Sequence, residues 1–146
     1  MAEPAADLTD RAGFALWIND RIRFSDTDAA GHVNNVAFAA YAETGRLDLM
    51  VRHFRPMCGP GERFIAASIT VNYLRETHHP GEVMIGTRII RIGRTSLTVG
   101  QGIFKDDVCV ASATGTVVFL HSSIPKPLTE QMREMAIALS GPRAGG

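Results

Sequence analysis

The stretch Arg23-Phe24-Ser25-Asp26-Thr27-Asp28-Ala29-Ala30-Gly31-His32-Val33-Asn34-Asn35, followed at once by the apolar segment 36–54, decides how the rest of the chain is read. Its last ten residues hold two carboxylates, an imidazole and two carboxamides. Behind them, apolar residues recur at Val36, Ala39, Ala40, Leu47 and Met50, with Phe38, Tyr41, Ala42, Leu49 and Val51 widening the stripe. That period predicts a helix over 36–54, roughly five turns at 1.5 Å per residue, long enough to lie across a sheet. The charges Glu43, Arg46, Asp48 and Arg52 must share one narrower exposed side or pair with each other, and Glu43 and Arg46 stand at i, i+3 as an ion pair. Gly45 in mid-helix costs about 1 kcal/mol relative to alanine. The usual compensation is a close neighbour, so the sequence predicts a sheet pressed against the helix there.

Downstream, Pro56-Met57-Cys58-Gly59-Pro60-Gly61 is a cluster of chain breakers and predicts a loop. Four strand-like runs follow, at 67–74, 83–92, 95–104 and 108–121, separated by His79-Pro80-Gly81, Gly93-Arg94 and Lys105-Asp106-Asp107. Turns this short make successive strands antiparallel, so the second half reads as a meander. Gly100, Gly102, Ala111, Ala113 and Gly115 are expected to share one face of the last two strands and to leave room there for the helix. Pro125-Lys126-Pro127 ends the sheet, and 128–139 reads as a short amphipathic helix. Upstream, 14–18 is a strand or an apolar turn, and 20–24 alternates charged and apolar residues like a half-buried strand. One long helix laid on an antiparallel sheet is an α+β layout whose sheet edges are natural sites for dimerisation.

The chain has 146 residues, the size of one domain, expected over 14–140 with tails at 1–13 and 141–146. Hydrophobic residues make up 45% and charged residues 21%, which disfavours both a disordered and a membrane-embedded chain. Fifteen basic residues balance fifteen acidic ones, so the whole molecule has no electrostatic attraction for nucleic acid or an anionic membrane. The first residues carry Glu3, Asp7 and Asp10 without an apolar core, unlike a secretory signal, and no apolar run spans a bilayer. Cys58 and Cys109 lack the spacing of a zinc site and are expected as free thiols in a cytoplasmic protein.

Within the opening stretch, Asp26 and Asp28 read first as turn and helix-capping residues, since a helix follows. A calcium loop is excluded because its fifth and twelfth positions would be Ala30 and Ala37. No Gly-x-Ser-x-Gly occurs, and Gly100-Gln101-Gly102 has Lys105 where a dinucleotide fingerprint needs glycine.

Asp26-x-Asp28-x-x-Gly31-His32-Val33-Asn34-Asn35, the aromatic Phe38 and Tyr41-x-Glu43-x-x-Arg46 together resemble the 4-hydroxybenzoyl-CoA thioesterase-like acyl-CoA thioesterases of the hot-dog superfamily. Gly93-Arg94-Thr95-Ser96-Leu97 is similar to that family's Arg-x-Ser turn, and the likeness covers about 20–121. The resemblance implies a hot-dog fold, a long helix wrapped by an antiparallel sheet, and hydrolysis of an acyl-CoA thioester. It makes Asp28 the catalytic carboxylate, as general base or nucleophile, and the Asn35 backbone N–H the donor to the thioester carbonyl. A helix N-terminus suits that second role, because its free N–H groups face a developing oxyanion. No metal or cofactor is needed.

Some relatives carry His at the position of Asn35. Acyl-carrier-protein thioesterases, another branch, share the His-x-Asn-Asn ending but have Asn where Ala30 stands. His32 is therefore either a catalytic or orienting group or a loop hydrogen-bonding residue. Asn34 and Asn35 as side chains hold the loop and cap the helix, and Asp26 fixes the turn. With zero net charge, the CoA phosphates need a local cluster, for which Arg91 and Arg94 beside Thr95 and Ser96 are the candidates. Met57 and Cys58 are expected at the acyl end of the pocket. The family pairs subunits with the site between them, so a homodimer or homotetramer is implied. The rival readings are an acyl-carrier-protein thioesterase and a non-catalytic acyl-CoA binder; a hot-dog dehydratase spaces its Asp and His differently.

Overall fold

The computed structural model describes residues 7–142. Strand β1, Leu16–Arg21, takes residues from both segments expected upstream and merges them into one strand. Phe24 lies in a 3-10 turn, Phe24–Asp26, instead of extending the strand. Helix α1 is Asn35–Leu49, and its helical path runs on through a π-helical turn, Met50–Phe54, and a 3-10 turn, Arg55–Met57. Pro56 is accommodated in that last turn, near its start, where a missing N–H costs little. The breaker cluster thus ends the helix one turn later than expected.

The strands β2 (Glu62–Tyr73), β3 (Glu82–Ile92), β4 (Ser96–Lys105), β5 (Val108–His121) and β6 (Ile124–Pro125) complete a six-stranded sheet. Helix α2, Glu130–Ala138, is capped by the Thr129 side chain, which accepts from the Met132 N–H. All pairings are antiparallel, and the order is β1-β3-β4-β5-β2, with β6 added on β5. The meander is therefore β3-β4-β5 only. β2 does not neighbour β3: it lies against β5 at the far edge, and residues 74–81 form the crossover that connects it to β3.

The expected single face of small residues is corrected by one β-bulge. At the Asp106-Asp107 turn, Lys105 pairs with Val108 and Phe104 with Cys109, a register that would align Gly100 and Gly102 with Ala113 and Ala111. A shift between Ile103 and Phe104 inserts one residue, so that Gly100 faces Thr114 and Gly102 faces Ser112. With a side-chain period of two, one extra residue moves a set to the other face. Ala111 and Ala113 stay under α1, packed with Tyr41, Ala42 and Ile85. Gly100 and Gly102 turn outward, where Cβ atoms would lie 2.8 Å from Leu8 Cδ2 and 2.4 Å from the Leu8 carbonyl oxygen. Leu8 and Phe14 are buried on that outer face, so part of the segment expected as a tail packs on the sheet.

The close approach expected at Gly45 is present. A Cβ there would lie 2.6 Å from both Gln101 Nε2 and Ile85 Cγ2. Gln101 Nε2 uses the gap to donate to the Ala42 carbonyl at 2.8 Å and to Thr87 Oγ1 at 3.2 Å, which satisfies a buried amide beneath the helix. The remainder of the core gathers around Leu49, Phe54, Leu97, Phe119, Met132 and Leu139, where α2 closes the C-terminal end of the long helix.

Candidate active site

The motif loop is built on Asp26. Its Oδ2 accepts from the Arg23 N–H at 2.9 Å and from the Tyr41 hydroxyl at 2.7 Å, which ties the loop to α1. Burial, and then the bond to Asp26, push the Tyr41 hydroxyl well above its ordinary pKa, so it stays a donor. Thr27 and Val33 form a β-bridge, and the Asn34 N–H donates to the Asp26 carbonyl at 2.8 Å. These bonds close the loop 28–32 on itself. The Asp28 N–H donates to the His32 carbonyl at 2.9 Å, and Gly31 takes φ +84°, a conformation that favours glycine.

Asp28 stands exposed at the loop's tip. Its Oδ1 accepts from the Ala30 N–H at 2.9 Å and the His32 N–H at 3.4 Å, leaving Oδ2 out of the turn's bonds. Asn34 is the helix N-cap, its side chain accepting from the Ala37 N–H at 2.8 Å. Asn35 is the first helical residue, and among the described residues its N–H has no acceptor. Asp28, His32 and Asn35 line one cleft of about 330 Å³ with Phe38, Tyr73 and Glu76. The cleft thus brings together a carboxylate-bearing residue and the first residue of the helix, groups that can respectively take a proton and polarise a carbonyl.

The His32 ring is engaged by Glu76 and His78. Its Nε2 lies 3.4 Å from Glu76 Oε2, and its ring meets His78 edge-on with centroids 4.9 Å apart. Tyr73, Glu76 and His78 were not legible as site residues. They come from the end of β2 and the crossover behind it, and only the pairing of β2 with β5 brings them beside the loop. The Tyr73 hydroxyl reaches the Asn35 carbonyl at 3.4 Å, and Tyr73 packs on Phe38.

The structure sets the other candidates apart from this cleft. Arg91, Arg94, Thr95 and Ser96 lie around the β3–β4 turn, at the end of β3 opposite Glu82, which pairs with Arg21 just before the motif loop. With about 3.3 Å per residue, that separation is roughly 30 Å. The turn is braced by α2 and the segment leading into it: Arg133 donates to the Gly93 carbonyl at 3.0 Å, and the Leu128 N–H to the Arg94 carbonyl at 2.9 Å. The Arg91 and Arg94 side chains are exposed. Cys58 lines a different cleft, with Met50, Arg55 and Phe64 at the far end of the helix, and does not reach Asp28. Burial, with Glu62 adding to it, pushes the Cys58 thiol up and disfavours a thiolate nucleophile. Arg46 is buried, its guanidinium 4.0 Å from the exposed Glu43.

Residues 30–111 match the model of the thioesterase superfamily. Among curated proteins, an uncharacterized protein from Bacillus subtilis strain 168, YsmA, is 28% identical over 77% of this chain and 76% of its own length. A thioesterase from Thermus thermophilus, solved in complex with coenzyme A and Zn, is 32% identical, with TM-score 0.78 over 88% of this chain and 96% of that one. A thioesterase superfamily protein from Jannaschia sp. CCS1 is 27% identical, with TM-score 0.75 over 85% of this chain and 82% of that one. The sausage-like helix, the curled antiparallel sheet and the matched residues agree: the chain belongs to the thioesterase superfamily and has its hot-dog fold.

Proposed function

We propose that the protein hydrolyses an acyl-CoA thioester to the free carboxylic acid and CoA, with Asp28 as general base or nucleophile and the Asn35 N–H as oxyanion donor. The observation that carries this reading is the shared cleft, in which Asp28 and the N-terminus of α1 stand together. The thioester carbonyl oxygen accepts from the Asn35 N–H, and negative charge building on that oxygen meets the helix's positive end. Asp28 takes a proton from water, or attacks the acyl carbon itself and is released by water. The C–S bond breaks, and the thiolate takes up the proton. Coenzyme A in the related Thermus structure supports the substrate class.

The same reading includes a homodimer. β2 is an edge strand carrying the half-exposed Ile69 and Tyr73, and Leu47 and Val51 lie exposed on the helix beside it. Two copies joined antiparallel along β2 by a two-fold axis would bring the partner's β3–β4 turn toward the Asp28 end of the first chain. Arg91 and Arg94, remote from Asp28 within one chain, then serve CoA phosphates at the other chain's site. Replacing Arg94 with alanine is expected to raise KM for the CoA thioester with kcat little changed.

The test is a hydrolysis screen over aromatic, short and long acyl-CoAs, with Asp28→Asn as the blank and the same acyl groups on carrier protein. Faster turnover of the CoA thioesters supports the reading, and preference for the carrier protein moves the assignment to that branch. Intact thioester after long incubation would make the protein a binder and not an enzyme.

A further inference from the structure

Outside the Asp28–Asn35 pair, one cluster of metal-ligating side chains stands out. His32, Glu76 and His78 each offer one ligand atom, and these atoms lie within 4.8 Å of one another. They come from two segments, the motif loop and the crossover 74–81, which one main-chain bond joins and Lys105 of β4 helps to hold. The Val33 N–H donates to the buried Thr77's carbonyl at 2.7 Å, and Lys105 Nζ donates to the His78 carbonyl at 2.6 Å.

We infer that His32, Glu76 and His78 form a binding site for one divalent first-row transition metal ion, of the zinc class, at the rim of the Asp28 cleft. Two imidazoles and one carboxylate are the donor set such ions prefer, whereas magnesium and calcium seek all-oxygen shells. A tetrahedral ion with bonds of about 2.0–2.1 Å holds its ligand atoms roughly 3.3 Å apart. His32 Nε2 and Glu76 Oε2 already stand at 3.4 Å. The third donor needs only a side-chain adjustment, since all three are within 4.8 Å.

The surroundings suit a ligand set. His78 Nδ1 lies 3.2 Å from the Gly31 carbonyl. As a donor to that oxygen it leaves the lone pair on Nε2, the arrangement by which backbone carbonyls orient metal-bound histidines. The nearby cation Lys105 is turned onto the His78 carbonyl. His32 and Glu76 also line the Asp28 cleft, so the fourth coordination position opens toward water or a bound anion there.

The experiment uses the full, untagged chain stripped with chelator and titrated with zinc chloride by calorimetry, with cobalt chloride followed by visible absorption. One ion per chain is expected, with cobalt bands of a low-coordinate nitrogen–oxygen site and no binding of magnesium. Glu76→Gln and His78→Ala, both at exposed positions, should each weaken zinc at least about tenfold, since losing even an outer-sphere partner costs that much. The double variant should bind none, while circular dichroism shows each variant folded. Absence of saturable zinc binding, or equal binding by parent and double variant, overturns the site, as does binding abolished by thiol blocking alone.

Discussion

The two ends of the long helix are built on opposite terms. At its C-terminal end Leu49 and Phe54 are fully buried, Met50 nearly so, and α2 closes over them with Met132 and Leu139. At its N-terminal end Asn35 and Val36 are exposed, and the loop before them is held by hydrogen bonds to Asp26 and Asp28. The contrast separates two tasks. Apolar burial from Phe38 and Tyr41 through Leu49 and Phe54 fixes where the helix lies, and this frees its exposed first residues and the tip of the loop before them to present polar groups.

Substitutions graded along the helix test that division, and the stability cost should fall steadily toward the loop. Phe54→Ala removes a fully buried ring packed on Phe64 and should cost about 3–5 kcal/mol in chemical denaturation. Tyr41→Phe deletes the hydroxyl that donates to Asp26 and should cost about 2 kcal/mol, as bonds to charged acceptors do. Asn34→Ala loses the cap on the Ala37 N–H, worth about 1 kcal/mol. A cost at Asn34 as large as that at Phe54 would break the comparison, because the loop end would then be part of the core's cooperative unit.

Much of this was legible because it is local. The helix and β3–β5 follow from periodicity and turn residues, and Gly45 announced the sheet beneath it. The motif Asp26 to Asn35 marked the cleft's loop. What sequence did not carry was register and strand order. One bulge between Ile103 and Phe104 sent Gly100 and Gly102 to the opposite face from Ala111 and Ala113, and nothing in the residue types announces an inserted residue. The placement of β2 beside β5 is a long-range pairing, so the arrival of Tyr73, Glu76 and His78 next to His32 had no local signal. The distance of Arg91 and Arg94 from Asp28 was hidden for the same reason.

The smallest stability change belongs to Asp28→Asn, and it carries the largest functional one. The asparagine side-chain oxygen still accepts from the Ala30 and His32 N–H groups, so unfolding should shift by no more than about 0.5 kcal/mol. The measurement that decides the matter is kcat for acyl-CoA hydrolysis by this variant, taken beside its denaturation curve. Loss of the carboxylate should lower kcat by about 10²–10⁴-fold with the fold unchanged. A folded Asp28→Asn protein that turns over acyl-CoA at the parent's rate would contradict the assignment of the chemistry to the exposed end of the helix.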